Sequence, residues 1–311
     1  MKTSSSLFLL LIFSLIIIRI IPIQANPALG ITVGTDKQKY YIKETVQVYG
    51  NLTLDGELVT NGLVGLQIQN SKDKLILIRT LSTGNPPPET PYVLLEYVVP
   101  CDSEGNPQSS FKRGNYQFAH FKISVANLDT AEPREVLLTI ITYYGDNTPF
   151  GFASIQTTIS AGSNPSFIVS IPLSEDSVLG SAMVYANAYT DWPQLGGTPY
   201  CSEVNAAFQI IDDALGAAQT SQSLPLRIQQ ANETANYNTT FKLPRMTPYG
   251  NCTAYVTSRY FGESTFNSTT FKVYILGDLG GGLPPQFFLF DGIVDGKDKA
   301  LFLLCYKGQG P

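Results

Sequence analysis

One His, one Trp and four Cys in 311 residues leave little material for acid–base, haem or zinc chemistry, so the composition leans away from an enzyme. Charge is scarce too: 14% of residues are charged, with 25 acidic against 20 basic, a net charge of −5. With no surplus of Lys and Arg to displace counterions from a phosphate backbone, a nucleic-acid partner is excluded. Long amphipathic helical patterns are missing from the body of the chain. What is present is a 43% hydrophobic content with 26 Gly and 20 Pro, the mix of a folded chain with many turns rather than a disordered one.

The first 25 residues differ from the rest. Lys2 gives a positive start, residues 7–18 are apolar apart from Ser14, and Ile23-Gln24-Ala25 ends in a small residue, so a signal peptide cleaved before Asn26 is expected. The alternative is an uncleaved membrane anchor, against which Arg19 and Pro22 interrupt the apolar run. Either places the bulk of the chain outside the cytoplasm, secreted or on the cell surface. Five Asn-x-Ser/Thr sequons, at Asn51, Asn232, Asn238, Asn251 and Asn267, agree with export and predict glycosylation concentrated between 232 and 269. The cysteines Cys101, Cys201, Cys252 and Cys305 are an even set that allows three pairings in an oxidising compartment.

The mature chain reads as short alternating strands separated by turn signals, an all-β pattern of Ig-like sandwiches, tandem or nested. Residues 31–33, 46–54, 63–68 and 75–81 form a first set, with Asp55-Gly56 and Asn61-Gly62 expected as hairpin turns and Pro86-Pro87-Pro88 ending the unit. Residues 93–99, 118–125, 136–144, 152–159, 167–171, 182–189 and 206–211 supply seven strands, enough for a complete sandwich. Residues 239–243, 252–260 and 269–275 give three more. Neither the four-strand nor the three-strand set can bury a core alone. One solution joins 26–91 with 225–276 as a discontinuous sandwich and inserts the complete one, 92–211, between them; two small sequential domains are the alternative. Within the complete sandwich, Cys101 lies near the first strand and Cys201 just before the last, so a Cys101–Cys201 bridge is the expected pairing.

The run Thr35-Asp36-Lys37-Gln38-Lys39-Tyr40, continuing through Ile42-Lys43-Glu44-Thr45-Val46, resembles the opening of macroglobulin-type and bacterial Ig-like surface domains, with Ile42 and Lys43 where Pro and Gly are common. Residues 108–190, with Val125-Ala126-Asn127 and an expected turn at Pro149-Phe150-Gly151, resemble cell-adhesion-related domains of archaeal and bacterial surface proteins. The tail 277–311, through Asp291-Gly292-Ile293-Val294-Asp295-Gly296-Lys297-Asp298, resembles half of a degenerate dockerin-like repeat. That likeness implies a calcium loop with Asp291, Ile293, Asp295 and Asp298 as ligands, although Phe287 and Leu289 replace two oxygen donors. The competing reading is a turn followed by a short C-terminal helix. The whole layout resembles archaeal secreted or cell-surface proteins.

The residues give little support to other chemistry. His120 alternates with Lys122 and Ser124 on what reads as a wet strand face, with no Gly-x-Ser-x-Gly elbow to accompany it. Carboxylates at Asp102-Glu104, Glu175-Asp176 and Asp212-Asp213 fall in turn-like segments, where solvated loops are the plain reading and a two-carboxylate hydrolase the sharper one. Oxygen side chains in 101–106 match a second calcium loop or a simple turn. The segment 189–200 unites Tyr189, Trp192 and Tyr200 with Gly196-Gly197, as a sugar-stacking ligand loop or a core plug. The expectation is a non-catalytic extracellular protein for adhesion, envelope structure or protein–protein interaction. It would take no cofactor beyond calcium and bind an envelope protein or surface glycan, touching membrane only through an uncleaved leader. The alternative is a carbohydrate-binding module centred on Trp192.

Overall fold

The computed structural model describes residues 28–84, 91–212 and 235–274. Apart from one turn of 3₁₀ helix, every regular element in these residues is a strand, so the chain is an all-β protein.

The first sandwich has two sheets. One holds β1 (Leu29–Ile31), β2 (Gly34–Thr35), β4 (Thr45–Leu54), β5 (Glu57–Leu58) and β16 (Asn236–Lys242). The other runs β3 (Lys39–Tyr41), β18 (Glu263–Tyr274), β17 (Gly250–Tyr260), β6 (Leu63–Gln69) and β7 (Leu75–Ser82). Strands from both ends of the chain share each sheet: β16 runs antiparallel to β4 with Tyr237 opposite Gly50, β17 antiparallel to β6, and β18 parallel to β3. After β7 the chain builds β8 (Val93–Cys101) to β15 (Val204–Ile211) before it returns as β16. These intervening strands form a second sandwich. Its outer sheet has the order β13 (Ser166–Pro172), β10 (Phe118–Asn127), β8. The facing sheet runs β12 (Pro149–Ile159), β11 (Arg134–Tyr144), β14 (Gly180–Tyr189), β15, β9 (Ser110–Lys112).

Period-two alternation explains the strands locally. In β4, Val46, Val48 and Leu52 face the core while Thr45, Gln47 and Tyr49 face water. Gly50 continues the buried face because a Cβ there would collide with the Thr32 carbonyl and the Tyr237 hydroxyl, which donates to that same carbonyl. The first core is filled by Tyr40, Phe241, Phe271 and aliphatics, with the Tyr40 and Phe271 rings edge-on at 5.3 Å. The second is centred on Phe111, Phe121 and Phe208, whose closest ring pair stands at 5.1 Å. Truncating one such buried ring removes roughly 3–5 kcal/mol.

Three local expectations are corrected. Asp55-Gly56 is the hairpin turn expected, with φ of 53° and 85° between paired β4 and β5. Asn61-Gly62 instead marks the crossing between sheets, because β5 pairs with β4 whereas β6 pairs with β7 and β17. Thr83 holds that crossing through hydrogen bonds to and from the Gly62 backbone. Pro149, Phe150 and Gly151 belong to β12, and the turn precedes them at 145–148; the ladder absorbs the Pro through a register shift at Thr142/Tyr143. On β10, Ser124 is buried rather than wet, since the 160–165 turn lies alongside and takes the Val125 and Asn127 N–H groups. The C-terminal helix lies outside the described residues.

Candidate functional site

The contact between the sandwiches is an extended polar junction among the described residues. Both edge strands on one side of the first sandwich, β7 and β16, end against the second. An edge strand presents unpaired N–H and C=O groups that must be covered or will recruit another chain. On β7 the outward Thr80 N–H donates to Asn187 Oδ1 (2.8 Å) and Glu203 Oε2 (3.2 Å). On β16 the Lys242 N–H donates to the Asn147 carbonyl (3.0 Å), Asn147 Nδ2 donates to the Thr240 carbonyl (2.5 Å), and Lys242 Nζ pairs with Asp146 (2.9 Å).

Next to Thr80, Arg79 forms a two-pronged ion pair with Glu203: Nε to Oε2 at 2.8 Å and Nη2 to Oε1 at 2.5 Å. Both side chains are under 10% exposed. Burial alone would lower the Arg79 pKa, but the Glu203 charge and its hydrogen bonds outweigh that and hold it well above the ordinary value. The guanidinium also lies 3.6 Å from the centre of the Tyr185 ring, and the Tyr143 ring stands edge-on to Tyr185. Burial raises the Tyr143 and Tyr189 hydroxyls far above the phenol range, so both stay neutral. Removing one partner of a buried pair strands the other charge, which costs about 3–5 kcal/mol.

The expected ligand loop is part of this junction. Tyr189 is fully buried in the first core and its hydroxyl receives the Thr80 hydroxyl at 3.1 Å. Trp192 is half-buried against the same core, 6.0 Å from the Phe152 ring, and starts the 3₁₀ turn Pro193–Leu195. Gln194 exchanges two hydrogen bonds with Gln67 of β6, and Thr257 of β17 donates to the Gly197 carbonyl at 2.7 Å. Gly65 of β6 makes room, since a Cβ would stand 2.9 Å from Tyr189 and 2.8 Å from Thr257. Tyr200 donates its hydroxyl to the Glu135 carbonyl. The rings of this loop thus make internal contacts, with Tyr189 fully buried and Trp192 and Tyr200 half-buried, while Leu195 is 66% exposed.

The expected Cys101–Cys201 bridge is also corrected, because Cys101, Cys201 and Cys252 are free thiols. Cys201 Sγ accepts the Leu95 N–H at 3.3 Å, six positions along β8 from Cys101 and so roughly 20 Å away at strand spacing. A disulfide needs Cα atoms within about 7 Å. Burial pushes the Cys201 thiol up to about 11 and the Cys252 thiol up to about 12; burial and then Asp102 raise Cys101. Cys305 lies outside the described residues.

The remaining candidates are scattered. Asn238 and Asn251 are exposed with no side-chain hydrogen bond among the described residues, and Asn51 is half-buried on β4. Asn267 is exposed, but its Nδ2 donates to the Ile31 carbonyl at 2.8 Å. Asn232 and the calcium-loop residues Asp291, Ile293, Asp295 and Asp298 lie outside the described residues. Residues 101–106 form a turn in which Asp102 accepts from the Glu104 and Asn106 N–H groups and from Asn106 Nδ2. His120 is half-exposed and paired with Ser170 at 2.8 Å. Glu175 and Asp212, from different sequence clusters, line one cleft at an end of the second sandwich, and Asp213 lies outside the described residues. Sequence reasoning missed Arg79 and Glu203, which are 124 positions apart. Their one signal was a lone Arg inside the apolar run of β7.

No family model and no curated protein matches the chain. Among solved structures it is similar to the C-terminal domain of Wzt, at 15% identity and a TM-score of 0.31, covering 43% of this chain and 86% of that one. It is similar to a Niemann-Pick type C2 protein from the Japanese carpenter ant, at 9% identity and a TM-score of 0.28, covering 40% and 97%. A Bacteroides uniformis beta-glucuronidase, at 12% identity and a TM-score of 0.29, is covered over 26% of its length by 53% of this chain.

Proposed function

We propose that the chain is a non-catalytic extracellular or cell-surface protein that serves in adhesion, envelope structure or protein–protein contact, as a stiff pair of β-sandwiches holding its outer faces in fixed relation. The observation that carries this reading is the closure of β7 and β16 against the second sandwich, with the buried Arg79–Glu203 pair at its centre. A linker between independent domains permits rotation, whereas a junction sealed by backbone hydrogen bonds and a two-pronged ion pair resists it. The apolar leader and the exposed sequon residues Asn238 and Asn251 support a place outside the cytoplasm. The partner would be an envelope protein or a surface glycan.

The test is brief protease treatment of intact native cells, followed by mass spectrometry of the released and retained peptides. The reading expects peptides of this chain among the released set, beginning at or beyond Asn26 or carrying the leader as an anchor, with glycans on Asn238 or Asn251. Peptides found only after lysis, with both asparagines bare, would overturn it.

A further inference from the structure

The geometry points to a binding cleft for a neutral saccharide at the end of the second sandwich where the β9–β10 turn, the β13–β14 loop and the end of β15 converge. The cleft encloses about 390 Å³, within the roughly 300–1,000 Å³ usual for small-ligand sites. Its walls are Arg113, Asn115, Gln117, Glu175 and Asp212, with Gly114 between them. This site is remote in sequence from the 189–200 loop and independent of the scaffold role proposed above.

The polar groups are held in place before any ligand arrives. Arg113 donates through Nη2 to Asp212 Oδ2 and through Nη1 to the Ser177 carbonyl, both at 2.9 Å, which fixes the plane of the guanidinium. Asn115 Nδ2 donates to Glu175 Oε1 at 2.8 Å and joins the turn to the facing loop. The turn backbone is tied to β13: the Gly114 N–H donates to the Leu173 carbonyl at 2.9 Å, and the Leu173 N–H donates to the Gln117 carbonyl at 2.8 Å. Preorganised donors and acceptors lose little entropy when a ligand binds.

Between Asn115 and Gln117 in the same turn comes Tyr116, outside the cleft wall, 95% exposed and with φ of 60°, in the left-handed region that favours Gly. A large aromatic residue held in that conformation at a turn tip, with its ring in solvent, adds nothing to the core. A ring in water beside fixed polar groups offers a stacking platform for the apolar face of a sugar. Phe118, 43% exposed and two residues further along β10, extends the aromatic surface.

Charge and shape select the ligand class. Among the described wall residues, Arg113 contributes one positive charge against two carboxylates, Glu175 and Asp212, so a uronate, sulfate or phosphate group is disfavoured there. Among the described residues, the walls provide no apolar pocket for a peptide anchor. Hydroxyl groups, which donate and accept at once, match a wall where carboxylates alternate with guanidinium and amide groups.

The test is native affinity electrophoresis of the full chain in gels carrying dextran, mannan or galactan, with polygalacturonate as the acidic contrast. Retardation is expected on at least one neutral polysaccharide. Tyr116→Gly and Glu175→Ala should each weaken it about tenfold or more, whereas Leu195→Ala should leave it unchanged. Tyr116→Gly separates binding from folding, because Gly suits the positive φ and the variant should melt no lower than the parent. Migration unaffected by all three neutral polysaccharides would overturn the proposal, as would retardation that survives Tyr116→Gly or is found on polygalacturonate alone.

Discussion

Lys43 occupies the third position of the Tyr41-Ile42-Lys43-Glu44 turn with φ of 70°, and the Glu44 N–H closes that turn on the Tyr41 carbonyl at 3.0 Å. The macroglobulin-type pattern commonly has Gly at this position, and the turn keeps the geometry that Gly would favour while carrying a residue that strains in it. Lys43→Gly should therefore stabilise the fold by about 1 kcal/mol, read as a higher urea midpoint at unchanged slope. A lower midpoint would mean that the Lys side chain contributes more than its backbone costs. Seven residues upstream, Asp36 explains the Asp-x-x-x-Tyr spacing: its Oδ1 accepts the Tyr40 hydroxyl at 2.7 Å and the Gln47 N–H at 2.8 Å. Burial alone would raise the Asp36 carboxyl, but these hydrogen bonds outweigh it and hold it below the ordinary 3.8. A folded pKa below the unfolded one stabilises at pH values above 3.8, and the contribution is lost as pH falls through the folded value. Asp36→Asn should cost about 1 kcal/mol at pH 7, and the gap to wild type should close as pH falls below the ordinary 3.8 in denaturation curves. A gap independent of pH would rule out the charge as its source. The buried thiols give a third outcome at this scale. Iodoacetamide at pH 8 should leave Cys101, Cys201 and Cys252 unlabelled in the native protein and label all three in guanidinium without reductant. A peptide linking Cys101 to Cys201 would contradict the fold around β8.

Among the elements, the strands of seven residues or more, β4, β6 to β8 and β10 to β18, are those legible in sequence, through alternation in strands such as β4 and through continuous apolar runs in β6 and β7, which are buried on both faces. The two- and three-residue strands β2, β5 and β9 were not legible as strands, since so short a segment has no period and is a strand only through the partner it meets. The edges of β7 and β16 depend on the second sandwich, and the Arg79–Glu203 pair carries the most consequential prediction here. Arg79→Met and Glu203→Leu should each destabilise by about 3 kcal/mol, and the double variant should cost less than the sum, because neither charge is then left stranded. Additive losses in urea denaturation would show that the two side chains act independently.

For the whole molecule, the pairing of β16 with β4 and of β17 with β6 means that the first sandwich cannot close until the chain has passed through β8 to β15. Contacts across so long a sequence separation slow folding, since loop closure precedes the hydrophobic gain. The exposed sequon residues Asn238, Asn251 and Asn267 all lie on this late-closing part, on strands whose other faces fill the first core. The ring-lined loop 189–200 read from sequence more readily as a core plug than as a sugar-stacking ligand loop. Only the approach of β6 and β17 decided for the interior, where Tyr189 meets Thr80 and Gln194 meets Gln67.

The sequence by itself determined the all-β class, the long strands and the Asp55-Gly56 hairpin, because side-chain alternation and turn chemistry act over a few neighbouring residues. The tertiary structure alone decided that Cys101 and Cys201 stay apart, that Arg79 finds Glu203, and that Arg113, Glu175 and Asp212 gather at one end of a sandwich. Those relations depend on strand order and register, and neither is encoded in the period of any single segment.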